Sequence, residues 1–214
     1  MKKVLALLVA MSASASAATV SYSHVTSSTA TPFTDNFTLQ KFDPTVFGTL
    51  TGILINFSTS ITAEVDVFNN TGANQTFTAA TATSPLTLTG PAGATVNANA
   101  VAGPFNGTAG PGFNAFTGLT GNNSASTTVA PVNFGLYTGT GAATAAFQAV
   151  AGNGTYSGTS VPGVFFGGSA IASGTSTITY TYTVPTGTPE PATMGLLGSA
   201  LLGLGFLKFR TKKS

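Results

Sequence analysis

Hydrolysis by a Ser-His-Asp triad requires an imidazole, and the chain offers a single histidine, His24, near the start of any exported form. A solvated or edge-strand histidine is the simpler reading. Glycoside hydrolysis requires two carboxyl groups about 5–10 Å apart. Glu64 and Asp66, at positions i and i+2, would share one strand face about 7 Å apart. Any strand with acids at that spacing does the same, and no neighbouring acid or cation is present to push one pKa upward. The chain therefore reads as a non-enzyme. Calcium suits these acids better, because a hard cation takes six to eight oxygens and the chain is rich in Asp, Asn and Thr. Glu64 and Asp66 are the metal candidates, with Asp35 and Asp43 as further acids. No ligand loop of the EF-hand type accompanies them, and solvent-facing acids with an Asp43-Pro44 turn remain the simpler account. No other cofactor is expected.

The background to these residues is unusual. Charged residues make up 6% of the chain, against about 25% in an ordinary soluble domain. Solubility must rest on hydroxyls and amides. Sixteen phenylalanines and many Val, Ile and Thr residues argue for a folded β domain over disorder. Without cysteine, neither a disulfide framework nor a thiolate metal site is possible.

The formal charge of +2 misleads about partners. Lys2, Lys3, Lys208, Arg210, Lys212 and Lys213 all lie near the two ends. Between residues 18 and 188 only Lys41 stands against Asp35, Asp43, Glu64 and Asp66, a net charge of −3. One cation cannot neutralise a run of phosphates, so nucleic acid is excluded as a partner.

The ends carry their own signals. Lys2 and Lys3 precede an apolar run from Val4 to Met11, followed by a Ser/Ala tract ending in Ala15-Ser16-Ala17. That is the pattern of a signal peptide over 1–17, cleaved by signal peptidase at the Ala15/Ala17 small-residue site. At the other end, residues 186–191 form a linker holding Pro189-Glu190-Pro191, and residues 192–214 hold an apolar stretch from Ala192 to Leu207 before Lys208, Arg210, Lys212 and Lys213. As a helix the apolar stretch would span about 24 Å, short of the roughly 30 Å hydrocarbon core, with snorkelling basic side chains extending it. The basic tail acts as a stop-transfer signal on the cytoplasmic side and leaves the body outside, as the signal peptide also requires.

Pro189-Glu190-Pro191, a Gly-rich apolar segment (Met194-Gly195-Leu196-Leu197-Gly198, then Leu204-Gly205-Phe206) and a short basic end together resemble the PEP-CTERM sorting signal of Gram-negative bacteria. The resemblance implies processing by exosortase, an integral-membrane protease-transpeptidase, after transient residence in the inner membrane. It also implies delivery to the cell surface or the extracellular, biofilm-associated matrix.

Period-2 alternation organises the body, residues 18–185. Ile61, Ala63, Val65 and Val67 alternate with Thr62, Glu64 and Asp66; Ile178, Tyr180, Tyr182 and Val184 alternate with threonines. Leu50 to Phe57 reads as a strand ended by a Ser-Thr-Ser turn before a hairpin partner at Ile61. Dense Gly and Pro between Gly90 and Gly121 predict a loop-dominated stretch, and Ala142 to Ala151 predicts a brief helix. The expected architecture is all-β: an antiparallel β-sandwich of jelly-roll or immunoglobulin-like type, flanked by the signal peptide and a C-terminal transmembrane helix. Thr34-Asp35-Asn36-Phe37-Thr38-Leu39, Lys41-Phe42-Asp43-Pro44 and Gly48-Thr49-Leu50-Thr51-Gly52-Ile53 resemble the start of the choice-of-anchor E domain, a family that shares an N-terminal β domain with varied sorting signals.

Two functions fit. One is a structural or adhesive, non-catalytic component of the surface or matrix. The other is a carbohydrate-binding module associated with exopolysaccharide, in which Tyr22, Tyr137, Tyr156, Tyr180 or Tyr182 would stack on sugar rings.

Overall fold

Alternation of apolar side chains with threonine and serine drives nearly the whole body into strands. The computed structural model describes residues 17–184 and Gly198. The expected signal peptide up to Ser16, the linker at 186–191 and, Gly198 aside, the segment 192–214 with its basic tail lie outside the described residues. Among the described residues no helix is long and apolar enough to cross a membrane.

Chain order runs β1 (Ala17–Ala30), β2 (Phe33–Gln40), the short helix α1 (Pro44–Phe47), β3 (Thr49–Asn69), β4 (Gln75–Ser84), β5 (Leu86–Thr89), β6 (Thr95–Asn97), β7 (Ala100–Ala109), β8 (Gly112–Thr128), β9 (Thr144–Ala151), β10 (Thr155–Thr159) and β11 (Val164–Thr183). One sheet has the order β1-β11-β3-β8, with long, antiparallel ladders. The other two, β2-β9-β5-β6 and β10-β4-β7, are also antiparallel. They follow the same chain path twice: β5 continues β4, β7 continues β6 and β10 continues β9. Pro85, which has no N–H to give a ladder, marks one of the breaks; its carbonyl accepts from the Gly152 N–H at 2.9 Å at the neighbouring break.

The inner faces share one core. Ile53, Ile55, Phe57, Ile61, Val65, Val67, Ile178 and Tyr180 from the long-stranded sheet join Phe77, Leu86, Leu88, Val96, Phe147 and the small residues around them. Rings bridge the layers: Phe77 of β4 meets Phe116 of β8 at 5.1 Å and Phe166 of β11 at 5.9 Å.

Three expectations about elements are corrected. The Ser58-Thr59-Ser60 triplet is no turn, for β3 passes straight through it. Ser58 faces outward, while Thr59 points into the core and its hydroxyl donates to the Ala98 carbonyl at 2.7 Å. A polar triplet keeps period 2 when its inward member finds a buried acceptor. The segment Ala142 to Ala151 holds β9, not a helix. Ala145, Phe147, Ala149 and Ala151 are buried in alternation between β2 and β5. Alanine fits either period, and the ladders decide. The Gly-rich stretch from 90 to 121 carries β7 and much of β8. Its glycines serve close packing: a Cβ on Gly107 would stand 2.5 Å from Phe77 Cζ.

Elsewhere the alternation matches. Ile61, Ala63, Val65 and Val67 are buried, as are Ile178 and Tyr180. Val184 lies just past β11 and is exposed.

Candidate functional site

His24 on β1 and Asp35 on β2 face each other across the turn that carries the chain from one layer to the other. His24 Nε2–H donates to Asp35 Oδ2 at 2.9 Å. Each side chain is about a third exposed, 32% and 28%. The imidazole lies flat on Phe37, centroids 4.0 Å apart and 11° from parallel, and Phe37 stacks in turn on Phe147. Partial burial pulls the Asp35 carboxyl upward, but the hydrogen bond and charge of His24, together with the Thr26 hydroxyl beside it, outweigh this and hold it below the usual carboxylate range. The pair lines a cleft of about 310 Å³ with Thr26, Thr29, Phe33 and Thr34. No serine hydroxyl is hydrogen-bonded to the ring among the described residues, so two members of a triad are brought together without the nucleophile. Sequence reasoning missed this pair, because its members belong to different layers.

Asp43 is spent on structure. It caps α1, with its Oδ1 accepting from Thr45 N–H at 2.9 Å and from the Thr45 hydroxyl at 2.6 Å, while Oδ2 accepts from the Gly141 N–H at 2.7 Å. The Thr45 hydroxyl and the Gly141 N–H hold its carboxyl below the usual range. Asp35 and Asp43 are thus both committed.

Glu64 and Asp66 lie on the outer face of β3, half-buried, as the alternation requires. Among the described residues no group of three His, Asp or Glu side chains gathers around them or anywhere else. Asp66 Oδ1 is shut off from solvent without a hydrogen-bond partner.

The tyrosines divide. Tyr137 and Tyr180 are fully buried, and their hydroxyls donate to the carbonyls of Pro91 at 2.8 Å and Gln40 at 3.1 Å. Tyr182 packs on Phe42 and Phe47, and Tyr22 on Tyr180. Tyr156 is half-buried. Neither Tyr137 nor Tyr180 is available to stack on a sugar, which corrects that part of the carbohydrate-binding expectation.

The outer face of β3 and its neighbours presents an extended polar surface. Ser23, Thr177, Asn56 and Ser126 form one rank across four strands; Val25, Thr175, Ser58 and Ser124 form the next. Asn56 and Ser58 are hydrogen-bonded to Ser124 at 3.3 and 3.2 Å. A groove of about 490 Å³ opens here between Val25, Ser60, Asn122 and Ser173. Farther along β3 a second hollow, about 220 Å³, is lined by Thr62, Glu64, Thr117 and Ser169. The strand then reaches Asp66 and Phe68.

Comparison with known proteins adds one functional feature. Residues 188–212 match the family model described as the PEP-CTERM protein-sorting motif. The match contains Pro189, Glu190, Pro191, Lys208, Arg210 and Lys212, and stops one residue before Lys213. No curated protein matches the chain. A solved structure titled "Structure of infectious bursal disease virus Gx strain" is similar at 13% identity and a TM-score of 0.14, over 87% of this chain and 47% of that one. The chain thus spans about half the length of that viral chain.

Proposed function

We propose that this is an exported protein of a Gram-negative cell surface or extracellular matrix, delivered through its C-terminal sorting signal and carrying a non-catalytic, structural or adhesive β domain. The motif at 188–212 carries the reading, since such motifs are exosortase substrates and fit a secreted protein sorted at its C-terminus. Signal peptidase removes residues 1–17, the inner membrane holds the apolar segment and basic tail of 192–214 transiently, and exosortase processes the chain near Pro189-Glu190-Pro191. The positions of the last and first strands support this division: β11 ends at Thr183, shortly before the motif, and all of β1 except its first residue, Ala17, lies beyond the cleavage site. The body belongs with the choice-of-anchor E domains on the segments from Thr34 to Ile53, which form β2, α1 and the start of β3, and two faced layers support a sandwich of jelly-roll or immunoglobulin-like type.

Deleting Pro189 onward tests the sorting step. Cell-envelope retention and mature mass should both change; if neither does, the reading is wrong. A carbohydrate-binding module associated with exopolysaccharide is the second reading, favoured by the hydroxyl- and amide-lined groove along β3.

A further inference from the structure

Three phenylalanines far apart in sequence stand side by side on the outer face of the long-stranded sheet. Phe68 of β3 is the register partner of Phe165 on β11 and of Phe113 on β8. Their exposures are 46%, 58% and 66%, and they are the only aromatic side chains left largely exposed among the described residues. Adjacent strands are about 4.8 Å apart, close to the length of one hexopyranose in an extended chain. The rank is therefore as wide as two or three sugar rings, each with an apolar C–H face to set against an aromatic one.

The next rank inward is low: Gly167, Asp66 and Ala115. A Cβ built on Gly167 meets nothing within 4 Å, so a trough runs beside the rings with a carboxylate in its floor. Asp66 Oδ1 is covered and unpartnered, which leaves the carboxylate's demand for donors to its remaining oxygen. Glu64, one rank farther, stands between Ser169 and the Thr117-Gly118 bulge. A carboxylate oxygen accepts hydrogen bonds from sugar hydroxyls or from an ammonium group. They repel uronates and sulfates, and the only Lys or Arg among the described residues is Lys41, at the end of β2.

We propose that the Phe165-Phe68-Phe113 rank and the trough at Asp66 and Glu64 form a binding platform for a β-linked hexopyranose chain, neutral or amine-bearing, and not for a polyanion. This rests on the carbohydrate-binding reading and names the rings that perform it, in place of the tyrosines.

The test uses the full-length chain in detergent, sedimented with insoluble cellulose, chitin or chitosan, and with calcium-alginate beads as the polyanion. Wild type is expected to sediment with at least one of the first three and not with alginate. Phe68→Ala should weaken that binding about tenfold, a factor ordinary for one stacked ring, and Phe113→Ser and Phe165→Ser should each weaken it as well. Gly167→Val, whose Cβ would stand in open space within the trough, should weaken it while leaving the fold intact. Val132→Ser, at an exposed position outside the sheets in the short 3-10 helix Pro131–Leu136, should bind as wild type does. If wild type binds no polysaccharide, the carbohydrate-binding reading falls and the platform with it. If wild type binds but the phenylalanine variants and Gly167→Val bind equally well, only the platform falls. Preferential binding to alginate that Phe68→Ala or Phe113→Ser weakens also overturns it.

Discussion

His24 Nε2 lies 2.9 Å from Asp35 Oδ2, tying the first strand of one layer to the first strand of the other at the corner where the chain crosses between them. The imidazole is clamped from a second side by Phe37, so the hydrogen bond is made by a ring that packing already orients. A fixed donor loses less side-chain entropy on pairing than a free one.

The Asp35 carboxyl is held below its ordinary value of 3.8. A depressed carboxyl pKa stabilises the folded chain at pH above the unfolded value, and that contribution is lost as pH falls through the folded one. Urea midpoints measured from neutral pH downward should therefore drop below about pH 4, and Asp35→Asn should flatten part of that drop. The loss at neutral pH should be about 1 kcal/mol or less, because both groups are partly exposed. An acid limb unchanged in Asp35→Asn would show that the pair contributes nothing.

Asp43 should matter through its geometry. Its two oxygens join the α1 cap to the turn at Gly141, so Asp43→Ala frees both the Thr45 and the Gly141 amides. Hydrogen exchange should accelerate at those two amides together, and thermal stability should fall. Asp43→Asn keeps one acceptor oxygen and should fall between wild type and Asp43→Ala. Protection at Gly141 that survives Asp43→Ala would refute the clamp.

Legibility in the sequence followed the physics of each segment. Residues 61–67 and 177–183 announced themselves because bulky apolar residues alternate with polar ones there, and period 2 has one structural meaning. β9 was hidden because alanine satisfies helix and strand alike; the ladders to β2 and β5 decide it. Gly90 to Gly121 looked like loop because glycine usually marks turns, whereas Gly107 and Gly121 are where another ring or backbone comes too close for a side chain. The signal for Asp43 was present in its Asp-Pro context. The relation of Phe68 to Phe113 and Phe165 was not, since it depends on the register of three strands. The His24–Asp35 pair was equally hidden, being a contact across layers.

The buried tyrosines predict the alkaline limit. Burial raises Tyr137 from 10.0 to about 12, and burial with the neighbouring Tyr137 and Tyr22 raises Tyr180 further still. A raised folded pKa stabilises the chain fully below the unfolded value and loses that contribution as pH rises through the folded one. Tyrosinate absorbance should therefore remain incomplete near pH 11 and then rise together with loss of the β-sheet circular dichroism. Tyr137→Phe should weaken that coupling and cost about 1 kcal/mol at neutral pH, because the Pro91 carbonyl loses its donor. Complete ionisation of all five tyrosines in a chain that is still folded would contradict the burial of Tyr137 and Tyr180.

Two glycines should respond oppositely to the same added methyl group. A Cβ on Gly121 in β8 would stand 1.9 Å from the Val101 carbonyl oxygen and 2.3 Å from its carbon. Backbone cannot swing aside as a side chain can, so Gly121→Ala should force β7 and β8 apart and destabilise the chain by about 1–3 kcal/mol. A Cβ on Gly167 in β11 meets open space, and the residue is already in a strand. Gly167→Ala should leave the packing untouched and stabilise by about 0.5–1 kcal/mol, through the smaller entropy of its unfolded chain. Urea unfolding of the two variants beside wild type gives both signs in one experiment. A midpoint lowered by Gly167→Ala would close the trough beside Phe68, and one unmoved by Gly121→Ala would remove the tight approach of β7 to β8.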